Sequence, residues 1–150
     1  MWSEYGEADK WPIRRVNMTD EFERTLVVAE QVAPPAGHYS HGIIVSGRIL
    51  FVAGQTALDE SGNLVGGEDA AAQARQVLSN LQRVIESAGG RMEDVARTTL
   101  YMTRLEDRGP VGEVRREFFP SPPPANTLLV VSSLAHPDFL VEIDAIVPLR

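Results

Sequence analysis

The sequence predicts an α+β fold, one sheet backed by helices on a single side, and three patterns in its 150 residues predict it. Runs rich in Val, Ile, Leu and Thr recur in short blocks bounded by Gly and Pro, the signature of strands. Two stretches instead repeat their apolar residues at steps of three and four, the signature of amphipathic helices. The closing stretch, Phe139 to Val147, alternates between an apolar face and a face that mixes apolar residues with two carboxylates. Helices on one side leave the other face of the sheet uncovered. A face of that mixed character suits contact with a second copy of the chain.

Residues 1–23 stand apart as an N-terminal extension, polar and charged, with Trp2, Tyr5, Trp11, Ile13 and Phe22 scattered at no period. Residues 24–150 form one domain. It opens with the β-rich run Thr25 to Ala29, broken by Val32-Ala33-Pro34-Pro35-Ala36-Gly37. Ile43 to Val45 and Ile49 to Ala53 flank Ser46-Gly47-Arg48, which reads as a hairpin, and Gly54 ends the second strand. Asp59 to Asn63 is a turn. Gly66-Gly67-Glu68-Asp69 leads into a helix, its carboxylates suited to the positive N-terminal end. Ala74, Leu78, Leu81, Ile85 and Ala88 form that helix's apolar stripe, with Gln73, Arg75, Gln76, Gln82, Arg83 and Glu86 on the other faces and Gly89-Gly90 as the stop. Val95 to Met102 is a strand. A second helix follows Pro110, with Val111, Val114 and Phe118 inward and Pro120 as terminator. Two strands remain, Leu128 to Ser132 and Phe139 to Val147. In the last, Val141, Ile143, Ala145 and Val147 point one way and Leu140, Glu142, Asp144 and Ile146 the other.

Composition removes several classes of function. There is no Cys, hence no disulfide, no thiolate nucleophile and no Cys-based metal site. With 14 Lys and Arg against 21 Asp and Glu, the net charge is −7, which argues against a nucleic-acid partner. No apolar run approaches the ~20 residues that span a bilayer, so no membrane association is expected. The acidic start Met1 to Glu7 does not read as a signal peptide, and a cytoplasmic protein is expected. His38 and His41 flank Tyr39 without a clear third ligand, so no metal is expected. Gly66-Gly67 lacks the spacing and the lysine of a phosphate loop, and nothing else points to a cofactor.

With these elements placed, the chain resembles the Rid family (reactive intermediate deaminases, also called the YjgF family) over about Arg24 to Arg150. The resemblance is carried by Gly37-His38-Tyr39-Ser40-His41-Gly42, Phe51-Val52-Ala53-Gly54-Gln55, Ala72 to Leu81, Thr98-Thr99-Leu100-Tyr101, Phe118-Phe119, Pro124-Ala125 and Val141-Glu142-Ile143-Asp144-Ala145. It implies a chorismate-mutase-like fold, a sheet backed by two helices, and a homotrimer with clefts between subunits. It also implies cofactor-independent hydrolysis of imines and enamines to a keto acid and ammonia. An arginine would grip the substrate carboxylate, and a glutamate on the last strand would position the attacking water.

Residue by residue, the resemblance makes Tyr39 and Glu142 the catalytic candidates and Gly54 a backbone contact. The expected arginine is Asn126, the serine before Gly54 is Ala53, the cysteine two residues past the arginine is Leu128, and the asparagine before Phe118-Phe119 is Gly112. An arginine–carboxylate pair makes two parallel charge-assisted hydrogen bonds, and an asparagine brings no charge. The chain thus reads as a divergent member with altered substrate recognition, its ligand neutral at the Asn126 end. Read from the residues alone, Tyr39 sits in a glycine-flanked loop where packing has no need of an aromatic. Glu142 is a natural water-positioner or a carboxylate paired at an interface. His41 is a cleft acid or base candidate, since imidazole titrates near neutrality. Asp144 shares the face of Glu142 and reads as structural. Three functions remain open: a deaminase-like hydrolase, a noncatalytic small-molecule-binding trimer, and the ribonuclease or translation-inhibitor role attached to the family. The acidic charge and the missing arginine disfavour the third.

Overall fold

The computed structural model describes residues 21–28 and 31–150. Trp2, Tyr5, Trp11 and Ile13 of the extension therefore lie outside the described residues. At its end, the Phe22 ring lies 4.4 Å from the Arg150 guanidinium carbon.

The order of elements is the predicted one. Strands β1 (Glu23–Val27), β2 (Gly42–Ser46) and β3 (Arg48–Gln55) precede helix α1 (Ala70–Ser87). Strand β4 (Arg97–Met102), helix α2 (Arg108–Phe118), and strands β5 (Ala125–Val130) and β6 (Val141–Leu149) follow. β3, β6, β4 and β5 form a mixed sheet in that spatial order, with β6 antiparallel to both neighbours and β5 parallel to β4. Parallel neighbours require a crossover, and α2 supplies it between β4 and β5.

The expected hairpin is absent. β2 pairs with β1 in a separate two-stranded sheet, while β3 pairs with β6. Only Gly47 separates β2 from β3, fewer residues than the two that the tightest common hairpin needs. Its φ of 92° lets the chain turn a corner from one sheet to the other, a conformation open mainly to glycine.

Both helices cover one sheet face. α1 starts where Asp69 accepts hydrogen bonds from the backbone of Ala71 at 2.9 Å and Ala72 at 3.1 Å, answering two of the N–H groups a helix start leaves unpaired. Its buried stripe includes Ala74, Leu78, Leu81 and Ile85, against Val141, Ile143, Ala145 and Val147 of β6. Gln73 belongs to this buried stripe, not to an outer face. Its amide donates to the carbonyls of Gly67 (2.6 Å) and Asp138 (2.8 Å) and accepts from the Leu140 N–H (2.9 Å). A polar side chain survives in the core here because every capacity it uses meets a backbone group. Leu140, expected on the open face, precedes β6 and packs against the core.

In α2 the helix begins two residues ahead of Pro110, which sits in the first turn where its missing N–H costs nothing. Phe119 is the fully buried member of the phenylalanine pair and Phe118 only partly so. Arg115 is also buried, beside Val111 and Val114.

Candidate functional site

Two cavities hold most of the candidate residues, and the sheet separates them. Register settles which face each residue takes, because partners across a ladder share a face. Thr98 is opposite both Ala145 and Asn126, and Leu100 is opposite both Ile143 and Leu128. Asn126 and Leu128 therefore share the helix side with buried β6 residues. Tyr101 is opposite Glu142, and Thr99 opposite Asp144, on the uncovered face.

The first cavity, of about 650 Å³, lies between β5, α2 and the loop before β2. That size falls within the usual range for small-molecule pockets. The loop is pinned at two points. Ser40 bridges to the edge of β5, its N–H donating to the Pro124 carbonyl at 3.0 Å and its hydroxyl to the Pro123 carbonyl. His38 Nε2–H donates to the Phe119 carbonyl at 2.7 Å. Tyr39 between them faces the cavity, its hydroxyl accepting from the Ala36 N–H at 3.4 Å. Leu128 lines the cavity while packing against the core. A Cβ on Gly112 would meet nothing within 4 Å, so α2 leaves open space there.

The second cavity, about 320 Å³ and shallow, is on the uncovered face and is lined by Gly54, Tyr101, Glu142 and Asp144 among others. Here the sequence-predicted pair Gly54 and Glu142 meets. The β3–β6 register shifts between Val52 and Gln55, and a Cβ built on Gly54 would stand 1.9 Å from Glu142 Oε1 and 3.0 Å from its Cγ. Only a residue without a side chain lets the carboxylate lie over the backbone there. Asp144 is held by the Thr99 N–H at 3.1 Å and the Tyr101 hydroxyl at 3.2 Å. Among the described residues the Glu142 carboxylate has neither a hydrogen-bond nor an ion-pair partner.

Of the other candidates, Ala53 is exposed beside Gly54, its carbonyl accepting from Gln55 Nε2 at 3.1 Å. His41 is exposed, its ring 6.1 Å from that of Tyr39, and it lines a groove with Leu26, Val27 and Pro34 rather than the Asn126 cavity. Among the described residues no group of three or more His, Asp or Glu could hold a metal.

One lining residue escaped the sequence reading. The Arg115 side chain reaches the Asn126 cavity from α2 with its residue only 5% exposed. Burial pushes its guanidinium down to about 10. Nη2 donates to Thr98 Oγ1 at 3.4 Å, and the Thr98 hydroxyl donates to Asn126 Oδ1 at 2.7 Å. Position 115 follows Val111 by four and precedes Phe118 by three, so the helical stripe already contained it.

The sheet order, the two helices on one face and the split pockets define a class: small α+β proteins of the YjgF type. The family profile described as Endoribonuclease L-PSP matches residues 30–149, and the chain belongs to that family, which includes the Rid and RutC proteins. A RutC family protein of Pyrococcus horikoshii is 37% identical over 124 residues, 82% of this chain and 96% of that one. The crystal structure of the Rid family protein YyfB from Yersinia pestis, of unknown function, matches with a TM-score of 0.75 and 34% identity, covering 84% of this chain and 98% of that one. RidA from an Antarctic Psychrobacter matches with a TM-score of 0.64 and 29% identity, covering 84% and 100%.

Proposed function

We propose that this protein is a cofactor-independent hydrolase of small imines or enamines, working as a homotrimer whose clefts join the two cavities of neighbouring chains. The observation that carries the reading is the Glu142 carboxylate, which lies over Gly54 on the sheet face the helices leave uncovered and has no partner among the described residues, next to an Asp144 whose own oxygens are engaged. A carboxylate with free lone pairs accepts a proton from a water molecule and aims it. Addition of that water to the carbon of a C=N bond gives a carbinolamine. Return of the proton to nitrogen expels ammonia and leaves a carbonyl, so imine plus water gives ketone plus ammonia with no redox change.

One chain offers Glu142 on one side of its sheet and Tyr39 with Asn126 on the other, so a shared cleft needs two copies. Recognition differs from the family's usual form because Asn126 replaces the expected arginine. The net charge of −7 supports a small-molecule ligand over an RNA substrate. The test follows the loss of freshly generated 2-iminopropionate and of an uncharged imine. Glu142→Gln should slow turnover at least ~100-fold without changing the assembly's mass. Equal rates in wild type and variant contradict the role given to Glu142. Saturable ligand binding without turnover in the wild type would favour the noncatalytic binder instead.

A further inference from the structure

A guanidinium taken out of water normally finds a carboxylate, because an uncompensated buried charge is costly. Arg115 has none. No ion pair among the described residues includes it, and its Nε is buried without any hydrogen-bond partner. Among the described residues its one side-chain hydrogen bond, to Thr98, is long at 3.4 Å. The Phe119 ring, with its centroid 5.5 Å from the guanidinium carbon, offers a π face but no counter-charge. The side chain is nevertheless held in place, buried between Val111, Val114 and the β4–β5 surface, and it borders a cavity large enough for a small organic molecule.

The surroundings favour an anion. Three arginines line this cavity, Arg108, Arg115 and Arg116, against one carboxylate, Glu113, which lies 3.6 Å from Arg116. That local excess stands out in a chain of net charge −7. With Asn126 Oδ1 occupied by Thr98, the Asn126 amide N–H groups remain as neutral donors beside the guanidinium.

We propose that Arg115 is the anion-binding residue of this cavity and that its ligand is a small organic acid, the carboxylate gripped by Arg115 with Asn126 donating alongside. A planar two-oxygen anion of single charge matches one guanidinium fork. Recognition thus moves from the strand position that holds Asn126 to the facing helix, and the neutral ligand end expected from Asn126 alone is replaced by an acidic one. The inference rests on the proposed reading only in taking this cavity as the substrate-binding half of the cleft.

The test uses butyrate and butyramide, which match in shape and differ in charge, with the intact wild-type protein labelled at arginine nitrogen. Butyrate should shift the Arg115 Nε–H resonance and butyramide should not. Arg115→Met should weaken butyrate binding at least ~10-fold, the loss of one charge-assisted hydrogen bond, while its melting temperature stays level or rises because an unpaired buried charge is gone. Arg115→Lys should recover only part of the binding, having charge without the fork. Equal affinity for both probes, or butyrate binding unchanged in Arg115→Met, overturns the proposal. So does an Nε–H resonance blind to butyrate together with a destabilised Arg115→Met, which would place the counter-charge on another copy. Butyrate binding without imine turnover keeps this inference and removes the hydrolase. Turnover of neutral imines without butyrate binding does the reverse.

Discussion

At Gly54 a single missing Cβ decides where a carboxylate lies. Gly54→Ala puts a carbon 1.9 Å from Glu142 Oε1, so the side chain must swing away. Because what moves is the far end of a flexible chain, stability should change by less than ~1 kcal/mol. Misplacing the water-positioning group should lower turnover at least ~10-fold. Melting curves and imine-loss rates measured together check this, and a normal rate would detach Glu142 from the chemistry. Arg115 gives a second prediction at this scale. Burial lets the folded state release the guanidinium proton near about pH 10, where the unfolded arginine still holds it. Above about pH 10 the unfolded chain therefore binds more protons, and the stability of wild type relative to Arg115→Met should rise with pH. Urea midpoints of both proteins across that range read the difference, and parallel curves would mean that Arg115 is not perturbed.

Among the elements, β6 was the most legible, because strict alternation with one apolar face admits a single orientation against the helices. Its Glu142 and Asp144 faces follow from that alone. α1 is legible in extent but not in full, since polarity predicts an outward Gln73 although it sits next to Ala74 and four residues before Val77. What buries it is the 138–140 segment, a partner 65 residues away that no local pattern reveals. Gln73→Leu should leave the carbonyls of Gly67 and Asp138 and the N–H of Leu140 without their partner. A cost of about 2–4 kcal/mol in urea unfolding is expected. A loss below ~0.5 kcal/mol would show that water replaces the amide at no cost. The supposed β2–β3 hairpin failed for the same reason: β2 and β3 each take another partner, and strand pairing is a property of the whole sheet.

For the whole molecule, the family and the element order were readable, whereas the division of the candidate site was not. Tyr39, Asn126 and Glu142 look like one constellation along the chain, and only the register Thr98↔Asn126 and Tyr101↔Glu142 puts them on opposite sides of the sheet. Arg115 stayed hidden because a charged helical residue is by default a solvated one. In the proposed trimer each working cleft takes Glu142 from one copy and the Arg115 cavity from another. Mixing two inactive chains tests it. Glu142→Gln removes the water-positioning carboxylate, and Gly112→Phe fills the other cavity, where Gly112 now leaves open space. Refolded together in equal amounts, the two variants should regain about a quarter of wild-type imine turnover, because about one cleft in four then joins the two intact halves in a closed ring. No recovery from mixed assemblies, with each variant alone folded and inactive, would contradict a cleft shared between copies.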